Sequence, residues 1–162
     1  MTDMTGLAEQ VGEALLKQGR VLATAESCTG GWVAKLVTDV AGSSQWFDRG
    51  FVTYSNAAKQ DMLGVPGETL ECEGAVSEPT VTAMVSGALR HSNADVALAI
   101  SGIAGPGGER PGKPVGTVCF AWQQRGSAPR IETQYFSGDR NNVRQQAVLH
   151  VLRILLNELG RG

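Results

Sequence analysis

Residues 95–108 read DVALAISGIAGPGG, and this stretch decides how the chain folds. The run DVALAIS, residues 95–101, is apolar between its two ends, which is typical of a central strand buried on both faces. The segment that follows, GIAGPGGERPGKP at residues 102–114, is too rich in Gly and Pro for a helix or a strand. Ligand crevices of open α/β sheets form beyond the carboxyl ends of such strands. We therefore expect a binding site where the chain leaves this strand.

The residues before this strand predict alternating helices and strands. Apolar positions at helical spacing predict a first helix over residues 4–18. Ser55 is a residue type that caps helix N-termini, and Ser77 followed by Glu78 and Pro79 has the same character. From these signals we predict strands at residues 20–25 and 47–54, helices starting at Thr29 and at residues 56–63 and 77–91, and an irregular connection over residues 64–74.

The last third of the chain predicts a hairpin and a closing helix. Two strands, at residues 115–122 and 130–136, flank turn residues and should pair as a hairpin. Asp139 is placed to cap a helix over residues 140–159. The whole order predicts one domain over residues 1–162, an α/β three-layer sandwich with a mixed β-sheet and helices on both faces.

Composition excludes several classes of protein. The 162 residues carry a formal net charge of −2, so no electrostatic attraction to nucleic acid or an anionic membrane is expected. No apolar run reaches the ~20 residues of a membrane span, and the N-terminus lacks the basic start of a signal peptide. Three cysteines without a CxxC spacing and two distant histidines predict reduced thiols in the cytoplasm and no metal site.

The segment AESCTGG, residues 25–31, is the first candidate for chemistry. It joins a predicted strand to a predicted helix, so N–H groups near Thr29 and Gly30 could stabilise an oxyanion beside Ser27. Ser27 or Thr29 could instead be a plain N-cap, with glycines that allow close packing. Cys28 is an alternative nucleophile because a helix N-terminus favours a thiolate, although no histidine is near it in sequence.

The segment TYSNAAK, residues 53–59, offers a base. Lys59 falls in the first turns of a predicted helix, where the helix dipole disfavours a positive charge and lowers the pKa of a lysine. A neutral lysine is a competent general base for a serine hydroxyl. The alternative is a solvated Lys59 on a short surface helix, with Tyr54 in the core.

Two further segments could bind an anion. The glycines of SGIAGPGG, residues 101–108, would let backbone amides approach a phosphate, although the spacing matches neither GxGxxG nor a P-loop and also suits a surface loop. Arg140 at the start of the last helix would suit an anionic ligand, and Arg144 follows one turn later; surface salt bridges are the alternative. Glu26 and Asp61 could orient a base or a substrate, or could make plain polar contacts.

Together these segments closely resemble one known family. The matching stretches lie between residues 24 and 144 and read, in order, TAESCTGGWVAKLVTDVAGSSQWFDRGFVTYSNAAK, LGV, GAVSEP, ISGIAGPGG, KPVGTV and FSGDRNNVR. They resemble the CinA C-terminal-domain family in its stand-alone, single-domain form. That family includes deamidases that convert nicotinamide mononucleotide and water into nicotinate mononucleotide and ammonia in pyridine-nucleotide salvage. The least similar part is the loop at residues 109–113.

The resemblance implies roles for individual residues. It puts the nucleophile at Ser27, its catalytic partners at Tyr54 and Lys59, and the phosphate ligand at Arg140, with Arg144 as the second choice. The backbone that binds substrate would come from Thr29, Gly30, Ser101, Gly102, Ala104 and Gly105. The resemblance implies a homodimer, and it implies no metal or cofactor.

Two questions stay open at this point. Ser27 could form an acyl-enzyme, or it could guide direct attack by water. The protein could also be a non-catalytic nucleotide-binding or protein-interaction module, since two-domain relatives are connected with competence and damage responses.

Overall fold

The computed structural model describes residues 3–160 as a mixed sheet surrounded by helices. The strands are β1 (Leu22–Glu26), β2 (Phe47–Val52), β3 (Val96–Gly102), β4 (Thr117–Gln124) and β5 (Arg130–Tyr135). The helices are α1 (Met4–Gln18), α2 (Trp32–Thr38), α3 (Asn56–Leu63), α4 (Gly67–Glu73), α5 (Glu78–Arg90) and α6 (Arg140–Gly160), and a short 3-10 turn at Ser43–Gln45 leads into β2.

The sheet topology creates a crevice at the end of two neighbouring strands. The strand order is β2-β1-β3-β4-β5. β1 runs parallel to β2 and β3, whereas β4 is antiparallel to both of its neighbours. From β1 the chain moves to β2 on one side and then returns to β3 on the other side. The loops that leave β1 and β3 therefore diverge, and a crevice opens where Glu26 lies opposite Ile100.

Helices cover both faces of the sheet, which confirms the predicted three-layer sandwich. Val96, Leu98 and Ile100 of β3 belong to the core shared with α1, α2 and α6. Ala97 and Ala99 alternate with them and belong to the core shared with α3, α4 and α5. The strand is thus buried on both faces, as its sequence predicts, and its small residues let α5 pack close to the sheet.

A glycine in α5 allows the end of α3 to pack directly against α5. A β-carbon on Gly87 would lie 1.9 Å from the carbonyl oxygen of Leu63, the last residue of α3, so a larger residue would force the two helices apart. Arg90 of α5 donates a hydrogen bond to the same carbonyl at 3.2 Å. This contact fixes α3, which carries Lys59, against the α5 side of the sheet.

The prediction of an irregular connection over residues 64–74 is wrong, because α4 lies within it. Pro66 precedes the helix, and the N–H of Gly74, at a positive φ of 84°, donates to the carbonyl of Leu70 and ends it. Leu70 is buried and joins the core beside α5. A proline before a helix and a glycine after it are known boundary signals. The residues between them are mostly polar, so they show no apolar pattern that would predict this short helix.

Other boundaries differ by a few residues. The helix predicted to start at Thr29 begins at Trp32, because residues 27–30 form a turn closed by a hydrogen bond from the N–H of Gly30 to the carbonyl of Ser27. β2 ends at Val52. The predicted hairpin is confirmed as β4 and β5. Asp139 caps α6, since its carboxylate accepts a 2.8 Å hydrogen bond from the N–H of Asn142.

Candidate active site

A cleft of about 270 Å³ lies at the carboxyl ends of β1 and β3, where the sheet topology opens. Seven residues predicted from sequence line this cleft: Ser27, Tyr54, Lys59, Ser101, Gly102, Ala104 and Arg140. Thr29, Gly30 and Gly105 are not among the lining residues. Cys28, the alternative nucleophile, also lines the cleft, together with Ala75 and Val76, which precede α5. Ala75 and Val76 had no signal in the sequence beyond the family resemblance.

Ser27 is held by the strand that carries it. It directly follows β1, and its N–H donates to the carbonyl of Ile100 on β3 at 3.0 Å, which extends the sheet pairing by one residue. Ser27 is buried, and its Oγ lies 2.9 Å from the Nζ of Lys59. A serine at the rigid end of a strand, in contact with an amine, has the geometry of an activated nucleophile.

Lys59 is buried rather than solvated, with only 1% of its surface exposed. Ser55 caps α3 by accepting a 3.0 Å hydrogen bond from the N–H of Ala58, and this places Lys59 in the first turns of the helix. Burial lowers the pKa of Lys59 below the ordinary value for a lysine. The neutral amine, which is the form able to accept a proton, is therefore favoured.

Two backbone carbonyls orient the amine of Lys59. Its Nζ lies 2.9 Å from the carbonyl oxygen of Thr53 and 3.2 Å from that of Tyr54. A carbonyl can only accept hydrogen bonds, so these two oxygens take the two N–H bonds of a neutral amine. The nitrogen lone pair is left for the third neighbour, the hydroxyl of Ser27. The arrangement suits transfer of the serine proton to Lys59.

Cys28 is a poor candidate for the nucleophile in this setting. Burial, followed by the nearby charge of Glu26, raises the pKa of Cys28 to about 12. Its thiol is then protonated at neutral pH, whereas the thiolate is the reactive form. The Sγ atom also lies close to Gly102, where a β-carbon would stand 3.1 Å from it.

The carboxylate of Glu26 organises the turn that follows β1. It accepts hydrogen bonds from the Thr29 hydroxyl at 2.7 Å and from the N–H groups of Val33 at 2.9 Å and Ala34 at 3.0 Å. Glu26 therefore caps α2 from the preceding strand, and within residues 3–160 it forms no ion pair with Lys59. Asp61 is exposed on α3.

Arg140 and Tyr54 meet at the mouth of the cleft. One Arg140 nitrogen donates to the carbonyl of Gly105 at 2.7 Å, and another lies 3.2 Å from the Tyr54 hydroxyl oxygen. Tyr54 is 63% exposed, so it is not a core residue. Because Lys59 contacts Ser27 directly, no relay through the Tyr54 hydroxyl is needed for proton transfer.

Arg144, unlike Arg140, is not among the residues that line the cleft. Its Nε donates to the carbonyl of Cys28 at 3.0 Å and its Nη2 to that of Thr29 at 3.3 Å. The guanidinium also lies over the Trp32 ring, 5.8 Å from the centroid. Of the two arginines, Arg140 is thus the one placed to meet an anion in the cleft.

The last two residues of β3, Ser101 and Gly102, line another wall of the cleft. Ser101 is buried and its hydroxyl donates to the carbonyl of Ala75 at 2.8 Å. A β-carbon on Gly102 would lie 2.7 Å from a methyl carbon of Val118 and 3.0 Å from the carbonyl oxygen of Thr117. A glycine at this position therefore lets the wall pass close to β4.

Within residues 3–160, no group of three or more His, Cys, Asp or Glu residues is arranged to hold a metal ion. No helix in the same range is long and apolar enough to cross a membrane.

Comparisons with known proteins place the chain in one family. The family model of the CinA C-terminal domain matches residues 4–159. The nicotinamide-nucleotide amidohydrolase PncC of Escherichia coli (strain K12) is 56% identical over 157 residues, which cover 96% of this chain and 95% of that protein. A putative competence-damage inducible protein of Symbiobacterium thermophilum is 52% identical over 162 residues, but these cover only 38% of its length.

A solved structure shares the fold over nearly its whole length. The crystal structure of the competence damage-inducible protein A from Klebsiella pneumoniae superposes with a TM-score of 0.95 at 42% sequence identity, and the match covers 98% of each chain. Family model, sequence relatives and architecture lead to the same assignment. The chain belongs to the CinA C-terminal domain family.

Proposed function

We propose that this protein hydrolyses the carboxamide of nicotinamide mononucleotide, releasing ammonia and nicotinate mononucleotide, as a step of pyridine-nucleotide salvage. The observation that carries the proposal is the 2.9 Å contact between the buried Nζ of Lys59 and the Oγ of Ser27. The 56% identity over nearly the full length to a protein named nicotinamide-nucleotide amidohydrolase supports the choice of substrate.

The first step is attack of Ser27 on the carboxamide carbon. Neutral Lys59 takes the hydroxyl proton while the carbonyls of Thr53 and Tyr54 hold its two N–H bonds. The Ser27 oxygen forms a bond to the carbon, and the π electrons of the carbonyl move to its oxygen. General-base assistance of this kind contributes roughly 10²–10⁴-fold to the rate.

The oxyanion needs a donor near Ser27. The N–H of Gly30 donates to the carbonyl of Ser27 and is therefore already used. The N–H of Thr29 donates no hydrogen bond within residues 3–160. Of the two amides expected from the sequence, Thr29 is the one that we assign to the oxyanion.

The leaving group departs with the proton held by Lys59. As the carbon–nitrogen bond breaks, protonated Lys59 gives its proton to the amide nitrogen, and ammonia leaves a Ser27 acyl-enzyme. Water then attacks the ester with Lys59 again as base, and the ester bond breaks to regenerate the Ser27 hydroxyl. Substrate, one water molecule and the side chains of Ser27 and Lys59 are enough to balance these steps.

The phosphate of the nucleotide would bind at the cleft mouth. Arg140 is exposed there, and its contacts to Gly105 and Tyr54 hold the guanidinium beside the cleft. A guanidinium forms strong, charge-assisted hydrogen bonds with phosphate oxygens. The glycine-rich residues 104–108 would supply backbone contacts on the same side.

A coupled ammonia assay tests the proposal. Wild type should release ammonia from nicotinamide mononucleotide, and Ser27→Ala should lose at least about a hundredfold in turnover. Free nicotinamide in the same panel tests whether the nucleotide is required. Binding of the mononucleotide without ammonia release by wild type would favour the non-catalytic module instead. A burst of ammonia before the steady state would support the acyl-enzyme over direct attack by water.

We further propose that the protein works as a homodimer in the cytoplasm, without nucleic acid. The edge strands β2 and β5 carry the exposed apolar residues Val52 and Tyr135, which a second copy could cover. The buried thiols of Cys28 and Cys119 suit a reducing compartment. Light scattering should give a mass of about twice 17.0 kDa; a mass of one chain would refute the dimer.

A further inference from the structure

Arg144 donates hydrogen bonds to the turn that follows the nucleophile Ser27. Its Nε and Nη2 donate to the carbonyls of Cys28 and Thr29, at 3.0 and 3.3 Å, across 116 and 115 residues of chain. Its guanidinium rests on the ring of Trp32 at the start of α2. These contacts come from α6, a helix far along the chain from residues 27–30.

The peptide between Cys28 and Thr29 links this arginine to the site. A peptide unit is planar and trans, so its C=O and N–H bonds point in opposite directions. The Cys28 oxygen points towards Arg144, and the N–H of Thr29 must therefore point away from it. Arg144 thus sets the direction of this N–H group without touching it.

The N–H of Thr29 is a hydrogen-bond donor without an acceptor among residues 3–160. Thr29 is 0% exposed, yet its N–H finds no acceptor anywhere in the described part of the chain, residues 3–160. Buried backbone N–H groups without a partner are rare in native structures. The Thr29 hydroxyl is fixed separately by the Glu26 carboxylate at 2.7 Å, so the residue is held from both sides while its N–H stays unused.

We infer that Arg144 is a positioning residue for the reaction: it aims and polarises the Cys28–Thr29 peptide so that the N–H of Thr29 donates to the oxyanion formed on the substrate. The inference rests on the proposed deamidation. A cation on a peptide oxygen draws electron density away from the N–H of the same peptide and strengthens it as a donor. Because this benefit grows as charge develops on the substrate oxygen, it belongs to the transition state more than to the bound substrate.

The experiment compares Arg144→Gln and Arg144→Lys with Arg153→Gln, an exposed arginine on the same helix, as matched control. Besides kcat and KM for nicotinamide mononucleotide, it measures two affinities. The first is for the aldehyde analogue of the substrate: its carbonyl carbon would form a bond to the Ser27 oxygen, and its carbonyl oxygen would become the oxyanion. The second is for nicotinate mononucleotide, the product, which carries no such centre.

We expect Arg144→Gln to lower kcat at least about tenfold with KM within about threefold of wild type, which is the pattern of a lost transition-state interaction. Affinity for the aldehyde should fall by the same factor as kcat/KM, and affinity for the product should not change. Arg144→Lys, which keeps the charge and one donor, should lie between wild type and Arg144→Gln and decides the question if the glutamine variant does not fold. Arg153→Gln should match wild type.

Three results would overturn the inference. One is a raised KM with unchanged kcat, which would make Arg144 a substrate ligand. Another is undiminished aldehyde affinity in a slowed variant, and a third is an unchanged kcat in both Arg144 variants. Wild type and Ser27→Ala are measured alongside: an active wild type with an inactive Ser27→Ala keeps the proposed function, so that only the role of Arg144 fails. A wild type that releases no ammonia rejects both.

Discussion

Replacing Lys59 with methionine should abolish most of the deamidation and leave the fold in place. Methionine has a similar length, so it can fill the buried channel that the lysine stem occupies. It removes the amine that lies 2.9 Å from the Ser27 oxygen. Loss of a positioned general base predicts a fall in kcat of at least about a hundredfold, or about 2.7 kcal/mol of barrier.

The same change alters how stability depends on pH. Burial lowers the pKa of Lys59 in the native state, whereas an unfolded lysine titrates near about 10.4. Between the native pKa and the unfolded value, the unfolded chain binds more protons, so the free energy of unfolding of the wild type rises with pH. Below the native pKa both states are protonated, and the full cost of burying the ammonium is present. Lys59→Met has no ammonium group to bury, so its stability lacks this dependence on pH. The wild type should therefore gain stability relative to the variant as the pH rises towards about 10.4.

Two assays check these expectations. Ammonia release is followed for wild type, Lys59→Met and the double variant with Ser27→Ala, which should be little slower than either single variant because the pair acts as a unit. Urea unfolding is followed from neutral pH to about pH 10. Lys35→Met is the control, since Lys35 is exposed and pairs with Asp39 on the protein surface. A Lys59→Met enzyme with more than about a tenth of wild-type kcat, or a stability difference that does not change with pH, would refute the reasoning.

Three other outcomes are expected. Cys28→Ala should keep turnover within about tenfold of wild type, because the buried thiol is protonated; a dead Cys28→Ala beside an active Ser27→Ala would reverse the assignment. Gly87→Ala should lower the free energy of unfolding by more than about 2 kcal/mol in urea, because its β-carbon meets the carbonyl of Leu63, whereas Gly160→Ala should be neutral. Arg140→Gln should raise KM for the mononucleotide by about tenfold or more, and nicotinamide riboside hydrolysed as well as the mononucleotide would show that Arg140 does not bind phosphate.

Local patterns were enough to predict most of the architecture. A strand that is buried on both faces carries an apolar run, and a helix carries its caps and its periodicity within its own residues. The strand at residues 95–101, the cap at Ser55 and the closing helix after Asp139 were therefore readable from neighbours in the chain. The short helix α4 was missed because a polar helix of seven residues has almost no periodicity to detect.

The sequence by itself also determined which residues were candidates for chemistry. Ser27 follows a strand, Lys59 lies in a first helical turn, and Arg140 starts a helix, and each position has a local signature. Only the tertiary structure decided what these residues do to one another. The contact between Lys59 and Ser27 joins residues that are 32 positions apart in the chain. Burial lowers the pKa of Lys59 in the structure, whereas the sequence offered only the helix dipole as a cause of a lowered pKa.

The separate tasks of the two arginines show the same division. Arg140 and Arg144 are one turn apart on α6 and look alike as a sequence pattern. The packing of α6 directs Arg140 to the cleft mouth and Arg144 to the carbonyls of Cys28 and Thr29. Which donor meets which acceptor depends on how elements far apart in the sequence pack together. A hydrophobic pattern with a period of 3.6 or 2 residues shows which face of an element is buried, but not which element packs against it.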